Sequence, residues 1–260
     1  MPPSLSQSTP TDPKVESEAP TASFVVIGDE ILSGRTKDKN IGFLADFLTG
    51  MGIDLVEVRI VSDTTEAIIE AVNALRVRTT YVFTSGGIGP THDDITADAI
   101  SAAFDVPCVH HPDAMAILAA HYEANGYEFT DARKRMARTP EGASLIANSV
   151  SKAPGFRIEN VYVMAGVPKI MQAMMDAIAP TLAGGKQMLS VALDCPFGEG
   201  TIGGPLTTVQ QDHPGTMIGS YPQHNDGSYT TQIVIRSRDE QAMEAAKKAV
   251  NAMLADLSGA

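Results

Sequence analysis

Three short apolar runs separated by two stretches of helical periodicity constrain this 260-residue chain more than any other feature of it. Phe24-Val25-Val26-Ile27 ends at Gly28, Ile53 to Val61 is rich in β-branched residues, and Tyr81-Val82-Phe83-Thr84 completes the series. Between the first two, Asn40 to Met51 sets Ile41, Leu44, Ala45 and Leu48 at helical spacing and stops at Gly50 and Gly52. Between the second and third, a helix is expected from about Thr64 to Arg76. A short apolar run bounded by glycine suits a strand covered on both faces. Strand, helix, strand, helix, strand at this spacing calls for right-handed crossovers and a parallel sheet.

Val161-Tyr162-Val163-Met164 reads as a fourth strand, closed by Gly166 and Pro168, and Met171, Met174 and Met175 in the helix that follows are spaced for core packing. Gly184-Gly185 is expected to be a hinge. Beyond it come a strand over 187–194, a poorly helical stretch containing Gly203, Gly204 and Pro205, strands over 216–221 and 229–236, and a helix over 239–257. That order makes a small α+β module. Residues 1–22 are rich in Pro, Ser, Thr and Glu and too poor in apolar side chains to offset the entropy of ordering. The expected organisation is a flexible tail over 1–22, an α/β domain over 23–183 and the module over 184–260.

Nineteen Lys and Arg against 31 Asp and Glu leave a net charge of −12, which argues against a general nucleic-acid binder, since phosphate neutralisation needs a basic surface. No apolar run approaches the roughly 18 residues of a membrane span. Two cysteines, Cys108 and Cys195, make no metal or redox spacing. With neither a secretory nor a transit signal at the start, the expected compartment is the cytoplasm.

In an open α/β sheet, ligands bind outside the carboxyl ends of the strands. Gly28-Asp29-Glu30, Ser62-Asp63 and the stretch Ser85-Gly86-Gly87-Ile88-Gly89-Pro90-Thr91-His92-Asp93-Asp94 all fall there. Three glycines in four positions let backbone N–H groups approach a phosphate, and the helix that follows adds its positive end. The spacing is neither the Rossmann fingerprint nor a Lys-containing phosphate loop. With no Lys or Arg in the loop, Asp63, Asp93 and Asp94 suggest a divalent cation held between protein and phosphate. Asp93 or Asp94 equally suits a cap on the next helix, and the glycines a tight turn. His110-His111 has no acidic partner at ligand spacing, and the basic run Arg133-Lys134-Arg135 with Arg138 reads as a solvated helix face.

The stretch Thr84 to Thr96 resembles the signature of the MoaB/Mog molybdopterin-binding fold, and within it the branch of the CinA N-terminal domain and the molybdopterin-binding domain of FAD synthase. Further matches are Gly28 to Arg35 with Asn40, Val61-Ser62-Asp63, Asn148 with Ala153-Pro154-Gly155-Phe156, Gly166-Val167-Pro168, and Ser220-Tyr221-Pro222 with Gln232 to Arg236. Ala165, Lys169-Ile170 and the glycines near 200 depart from the family pattern. The resemblance covers about 23–258. It implies a three-layer α/β/α domain with a mostly parallel sheet, and it carries over neither the deamidase activity of full-length CinA nor the adenylyltransferase activity of FAD synthase.

The resemblance further implies Asp63 and Asp94 as catalytic residues, and Gly28, Asp29, Glu30, Ser85, Gly86, Gly87, Gly89, Thr91, Asn148, Pro154, Gly155 and Gly166 as the ligand-binding set. A divalent metal, Mg²⁺ or Co²⁺, on Asp63, Asp93 and Asp94 would serve a nucleotide or molybdopterin ligand. Three activities stay open: hydrolysis of phosphoanhydrides such as ADP-ribose or FAD, adenylyl transfer in molybdenum-cofactor synthesis, and non-catalytic sensing of a phosphorylated ligand. A homo-oligomer is expected, with the C-terminal module taking part.

Overall fold

The computed structural model describes residues 19–225 and 228–259. The expected tail lies mostly outside them; Pro20 already accepts a hydrogen bond from Asp54 N–H, and the first strand begins at Thr21. The first domain runs β1 (Thr21–Ile27), α1 (Asp29–Leu32), α2 (Asn40–Gly50), β2 (Asp54–Val61), α3 (Thr65–Arg76), β3 (Tyr81–Ser85) and α4 (Thr96–Ala103). It continues through β4 (Cys108–His110), α5 (Pro112–Ala124), α6 (Asp131–Lys134), β5 (Arg138–Pro140), β6 (Ser144–Ile146), β7 (Gly155–Ile158), β8 (Val161–Met164) and α7 (Pro168–Ile178). The C-terminal module is β9 (Leu189–Cys195), α8 (Glu199–Asp212), β10 (Met217–Asn225), β11 (Ser228–Ser237) and α9 (Glu240–Gly259).

The main sheet has the order β2-β1-β3-β8-β7-β6. β1 pairs in parallel with β2 and β3, and β3 with β8; β7 runs antiparallel to both of its neighbours. Alternation along β1 separates two cores. Ala22, Phe24 and Val26 face α2 and α7, where Leu44, Leu48, Met171, Met174 and Met175 are buried. Val25 and Ile27 face α3 and α4, where Ile68, Val72, Leu75 and Ile100 are buried. Helix α3 buries Ile68, Ala71, Val72 and Leu75, a stripe at i, i+3, i+4 and i+7, and α7 repeats the spacing with Met171, Met174, Met175 and Ile178. Each fully buried Leu, Ile or Met contributes about 1.5–3 kcal/mol. The result is the three-layer domain expected, with β4–β5 and β6–β7 as unforeseen additions of three or four residues per strand, too short for periodicity to reveal.

The module follows the expected β-α-β-β-α order and forms an antiparallel sheet, β10-β11-β9. The stretch read as poorly helical is a 14-residue helix, α8, with Pro205 inside it. Ile202, Leu206 and Val209 explain why: they share one face and enter the module core beside Ile233, Ile235 and Val250, so packing overrides weak propensity. The glycine pair expected as a hinge is packed backbone to backbone, Gly185 N–H donating to Met51 O at 3.1 Å. Gly52, at φ +71°, lies against Gly185 so closely that a side chain at 52 would collide with its carbonyl. Arg238 ties the two domains further through Asp54 at 2.7 Å.

Candidate functional site

The chain leaves β1 over α2 to reach β2, then returns over α3, past β1, to β3. Its crossovers therefore diverge at the carboxyl ends of β1 and β3, the place where open α/β sheets bind ligands. A cleft of about 570 Å³ opens there. Of the residues singled out from sequence, Glu30, Asp63, Gly86, Gly87, Gly89, Asp93, Asp94, Asn148 and Gly166 line it.

The glycine-rich loop begins under two steric demands. Gly86, at φ +110°, lies against the Ile27 carbonyl, and Gly87, at φ +66°, against the Thr96 hydroxyl; neither position has room for a Cβ. That hydroxyl donates to Gly86 O at 3.0 Å, and Thr96 N–H donates to Gly87 O at 3.0 Å, locking the loop to the start of α4. Gly86 N–H donates to Met164 O. The N–H groups of Gly87, Ile88 and Gly89 have no acceptor among the described residues. Three successive amides without an acceptor among the described residues, at the edge of a cleft, make a concavity of the kind that can accept an anion.

The far end of the loop is a closed turn. Asp94 Oδ2 accepts from Thr91 N–H at 2.8 Å and from the Thr91 hydroxyl at 2.6 Å, so this carboxylate caps the Thr91–Asp94 turn rather than α4, which has no side-chain cap. Its oxygens also lie over Gly89, where a Cβ would come within 2.6 Å. Arg135 holds the turn from outside, donating to Thr91 O at 3.2 Å and Asp94 O at 3.1 Å. The basic run is thus not a solvated face. Arg138 pairs with Asp98 at 2.6 Å, Arg133 stacks over Tyr122 and Tyr127, and Met136 reaches the cleft. Spacing alone holds no signal for Arg135, because 44 residues separate it from Thr91.

On the opposite side, Asp63 Oδ2 accepts from Asp29 N–H at 2.8 Å, drawing the first two loops together. Burial pushes the Asp63 carboxyl above the usual carboxylate range, and the negative charges of Glu30, Asp29 and Asp93 add to the shift against the opposing Asp29 hydrogen bond. The Glu30 carboxylate folds back over Gly28, leaving 2.7 Å for any Cβ there. The lining contains four carboxylates and, among its described residues, no Lys or Arg.

Two more loops complete the walls. Asn40, buried at the start of α2, donates to Gly166 O at 2.9 Å, and Gly166 lies against Gly86. Asn148 spends its amide on its own loop, donating to Ser151 Oγ and Ala153 O and accepting from Val150 and Ser151 N–H. It shapes the wall to which Ser151 contributes. The remaining residues lie outside the cleft. Ser85 is buried beneath it with its hydroxyl unpartnered, Thr91 serves the turn, Pro154 lines a neighbouring groove, and Gly155 lies in β7 against the Val163 carbonyl. His111, as read, is structural: its ring accepts from Asp113 N–H at the start of α5.

Residues 23–184 match the family profile described as "Probable molybdopterin binding domain", and residues 187–258 match "FAD synthase, middle domain". The chain belongs to the molybdopterin-binding-domain family. This molybdopterin-binding domain, with the module behind it, is 30% identical over 233 residues to a protein of Archaeoglobus fulgidus, covering 90% of this chain and 97% of that one. A Metallosphaera sedula relative is 35% identical over 162 residues, 60% of this chain and 61% of its own length. A CinA-like protein of Sulfurihydrogenibium is 35% identical over 59% of this chain and 40% of its own. The match thus spans under two thirds of some relatives and nearly all of others. Among solved structures, the CinA protein of Thermoplasma acidophilum superimposes with a TM-score of 0.58 at 32% identity, over 64% of this chain and 99% of that one. The expected placement in the CinA and FAD-synthase branch of the molybdopterin-binding fold is borne out. No helix among the described residues is long and apolar enough to cross a membrane.

Proposed function

We propose that this chain is a divalent-metal-dependent hydrolase of nucleotide phosphoanhydrides of the ADP-ribose or FAD type. One observation carries the reading: three free backbone amides share a cleft with Glu30, Asp63, Asp93 and Asp94 and with no cationic side chain among the described lining residues. Amides alone do not neutralise a pyrophosphate beside four carboxylates, so the ligand has to bring a cation with it. The described residues form no ready-made cluster of three metal-ligating side chains. That donor set fits an ion such as Mg²⁺ or Co²⁺ that shares its coordination with phosphate and water. Asp63, Asp93 and Asp94 would supply its protein contacts singly or through its waters rather than as a closed cage, and when bound it would supply charge neutralisation at the anhydride.

The chain's own groups account for the rest. The amides of Gly87, Ile88 and Gly89 bind phosphate oxygens and stabilise charge added in the transition state. Water attacks phosphorus, the bridging P–O bond breaks, and the leaving phosphate keeps the electron pair. The proton lost by water passes to a carboxylate of the cleft, and Glu30, the lining carboxylate not assigned to the cation, is the candidate to take it. Ile88, Met136, Val167 and Ile170 give the cleft an apolar wall for a flat ring, which suits adenine and flavin and equally a pterin. For that reason molybdopterin binding with adenylyl transfer is the second reading.

Incubation with ADP-ribose or FAD, in Mg²⁺ or Co²⁺ and then in EDTA, tests the proposal. AMP release that needs the metal is expected. Saturable binding without release indicates a sensor, and AMP transfer to or from a pterin indicates the transferase; either result overturns hydrolysis.

A further inference from the structure

β2 is an outer strand of the main sheet: one edge pairs with β1, and no described strand pairs with the other. Unpaired edges are usually blunted by charge, proline or a covering element. This one presents Val56 and Ile60, 57% and 40% exposed. A bulge at Leu55–Val56 leaves Glu57 to Val61 in unbroken register with Ser23 to Ile27.

The run Val56-Glu57-Val58-Arg59-Ile60 is symmetrical about Val58 in shape and antisymmetrical in charge. Laid antiparallel against a copy of itself, its regular part puts Val58 opposite Val58 and Glu57 opposite Arg59 on both sides of the axis, and brings Val56, the bulged residue, beside Ile60. β-branched pairs and opposite charges at facing positions are the pairings that stabilise antiparallel strands, and a two-fold axis generates every one of them from a single surface. Arg59 and Glu57 already hold each other at 2.7 Å, flanked by Glu70 and Arg78, so their side chains are ordered before a partner arrives. Residues of one sign would repel a second copy in this register; the alternation attracts it.

We propose that β2 is the docking edge for a second copy of this chain, joining two main sheets into one continuous sheet across a two-fold axis through Val58. The inference is independent of the hydrolase reading, because the cleft and its carboxylates are not part of the interface.

Sedimentation equilibrium of the full chain at micromolar concentration tests it. A dimer is expected for the wild type, and monomers for Glu57→Arg and Arg59→Glu alone, since each sets like charges against like across the axis. Mixing the two variants in equal amounts restores both attractive pairs, and a heterodimer is expected. If melting curves show that either charge variant does not fold, Ile60→Lys gives the same readout at a 40% exposed position, setting a cation against the apolar Val56 of the copy on both sides of the axis while keeping the ion pairs within the chain. A monomeric wild type overturns the proposal, as does a dimer unaffected by all three substitutions or a mixture that stays monomeric. Hydrogen exchange covers a remaining occupant: protection of the outer β2 amides in a monomer means that another segment of the same chain holds the edge, which also overturns it.

Discussion

Two segments of this chain are rich in glycine, and they use it in opposite ways. In the loop after β3, Gly86 and Gly87 have positive φ and lie against the Ile27 carbonyl and the Thr96 hydroxyl, so nothing larger fits. In α8, Gly200, Gly203 and Gly204 are exposed, and a Cβ on any of them would meet nothing within 4 Å. The loop needs glycine for its shape, and that shape is what leaves three amides free. The helix tolerates glycine because Ile202, Leu206 and Val209 anchor it from the other face. A count of glycines cannot separate these cases; contact and dihedral angle do.

The largest expected effect falls on the loop. Gly86→Ala should cost about 3 kcal/mol or more, because it combines backbone strain with a collision against main chain. Denaturant melts and nucleotide titration should show both stability and binding lost. A mild effect would mean that the loop is not held by this approach, and the contrast with α8 would fail.

Asp63→Asn is the next test, and it acts on the site without disturbing the loop, since Asn can still accept from Asp29 N–H. Binding of ADP-ribose should lose its dependence on divalent metal in calorimetry. Stability should move the other way. A carboxyl whose proton is held more tightly in the folded state contributes stability that is full below the ordinary Asp value and lost as pH rises through the raised value. The ligand-free Asn variant should therefore melt above wild type at pH 7, with the difference vanishing under acid conditions. Equal melting temperatures at pH 7 would show that the acids around Asp63 do not strain the free protein.

Arg135→Ala should loosen the Thr91–Asp94 turn and cost about 1 kcal/mol, the scale of hydrogen bonds from a partly exposed charged group. Michaelis curves should show KM rising more than kcat falls, because the arginine touches the loop and not the cleft. The smallest effect belongs to α8: Gly203→Ala should stabilise the chain by about 0.5–1 kcal/mol. Gly204→Ala should give less, since a side chain before Pro205 disfavours helical backbone. A destabilising Gly203→Ala would mean that α8 has a neighbour in solution, which circular dichroism melts at several protein concentrations would reveal.

Much of the fold was legible because its signals are local. Apolar runs ending in glycine placed β1, β3 and β8, and stripes at helical spacing placed α2, α3 and α7, since each buries one face against a sheet. The same logic misjudged α8, where local propensity is poor and packing against α9 and β10 makes the helix worthwhile. It also missed β4 to β7, each too short to show a period.

For the site, the sequence by itself determined which loops meet: parallel strands must carry Asp29, Asp63 and the Gly86–Asp94 loop to one end of the sheet, whatever their separation along the chain. Only the tertiary structure decided what each residue does there. It turned Asp94 into the cap of a turn, Asn148 into the shaper of a wall, and Arg135 into the clamp on a loop 44 residues earlier. It left Pro154 and Gly155 outside the cleft and the amides of Gly87, Ile88 and Gly89 without an acceptor among the described residues. The reason is physical. Strand direction follows from short-range pattern, whereas a hydrogen-bond partner is settled by geometry between distant segments, which composition and spacing do not encode.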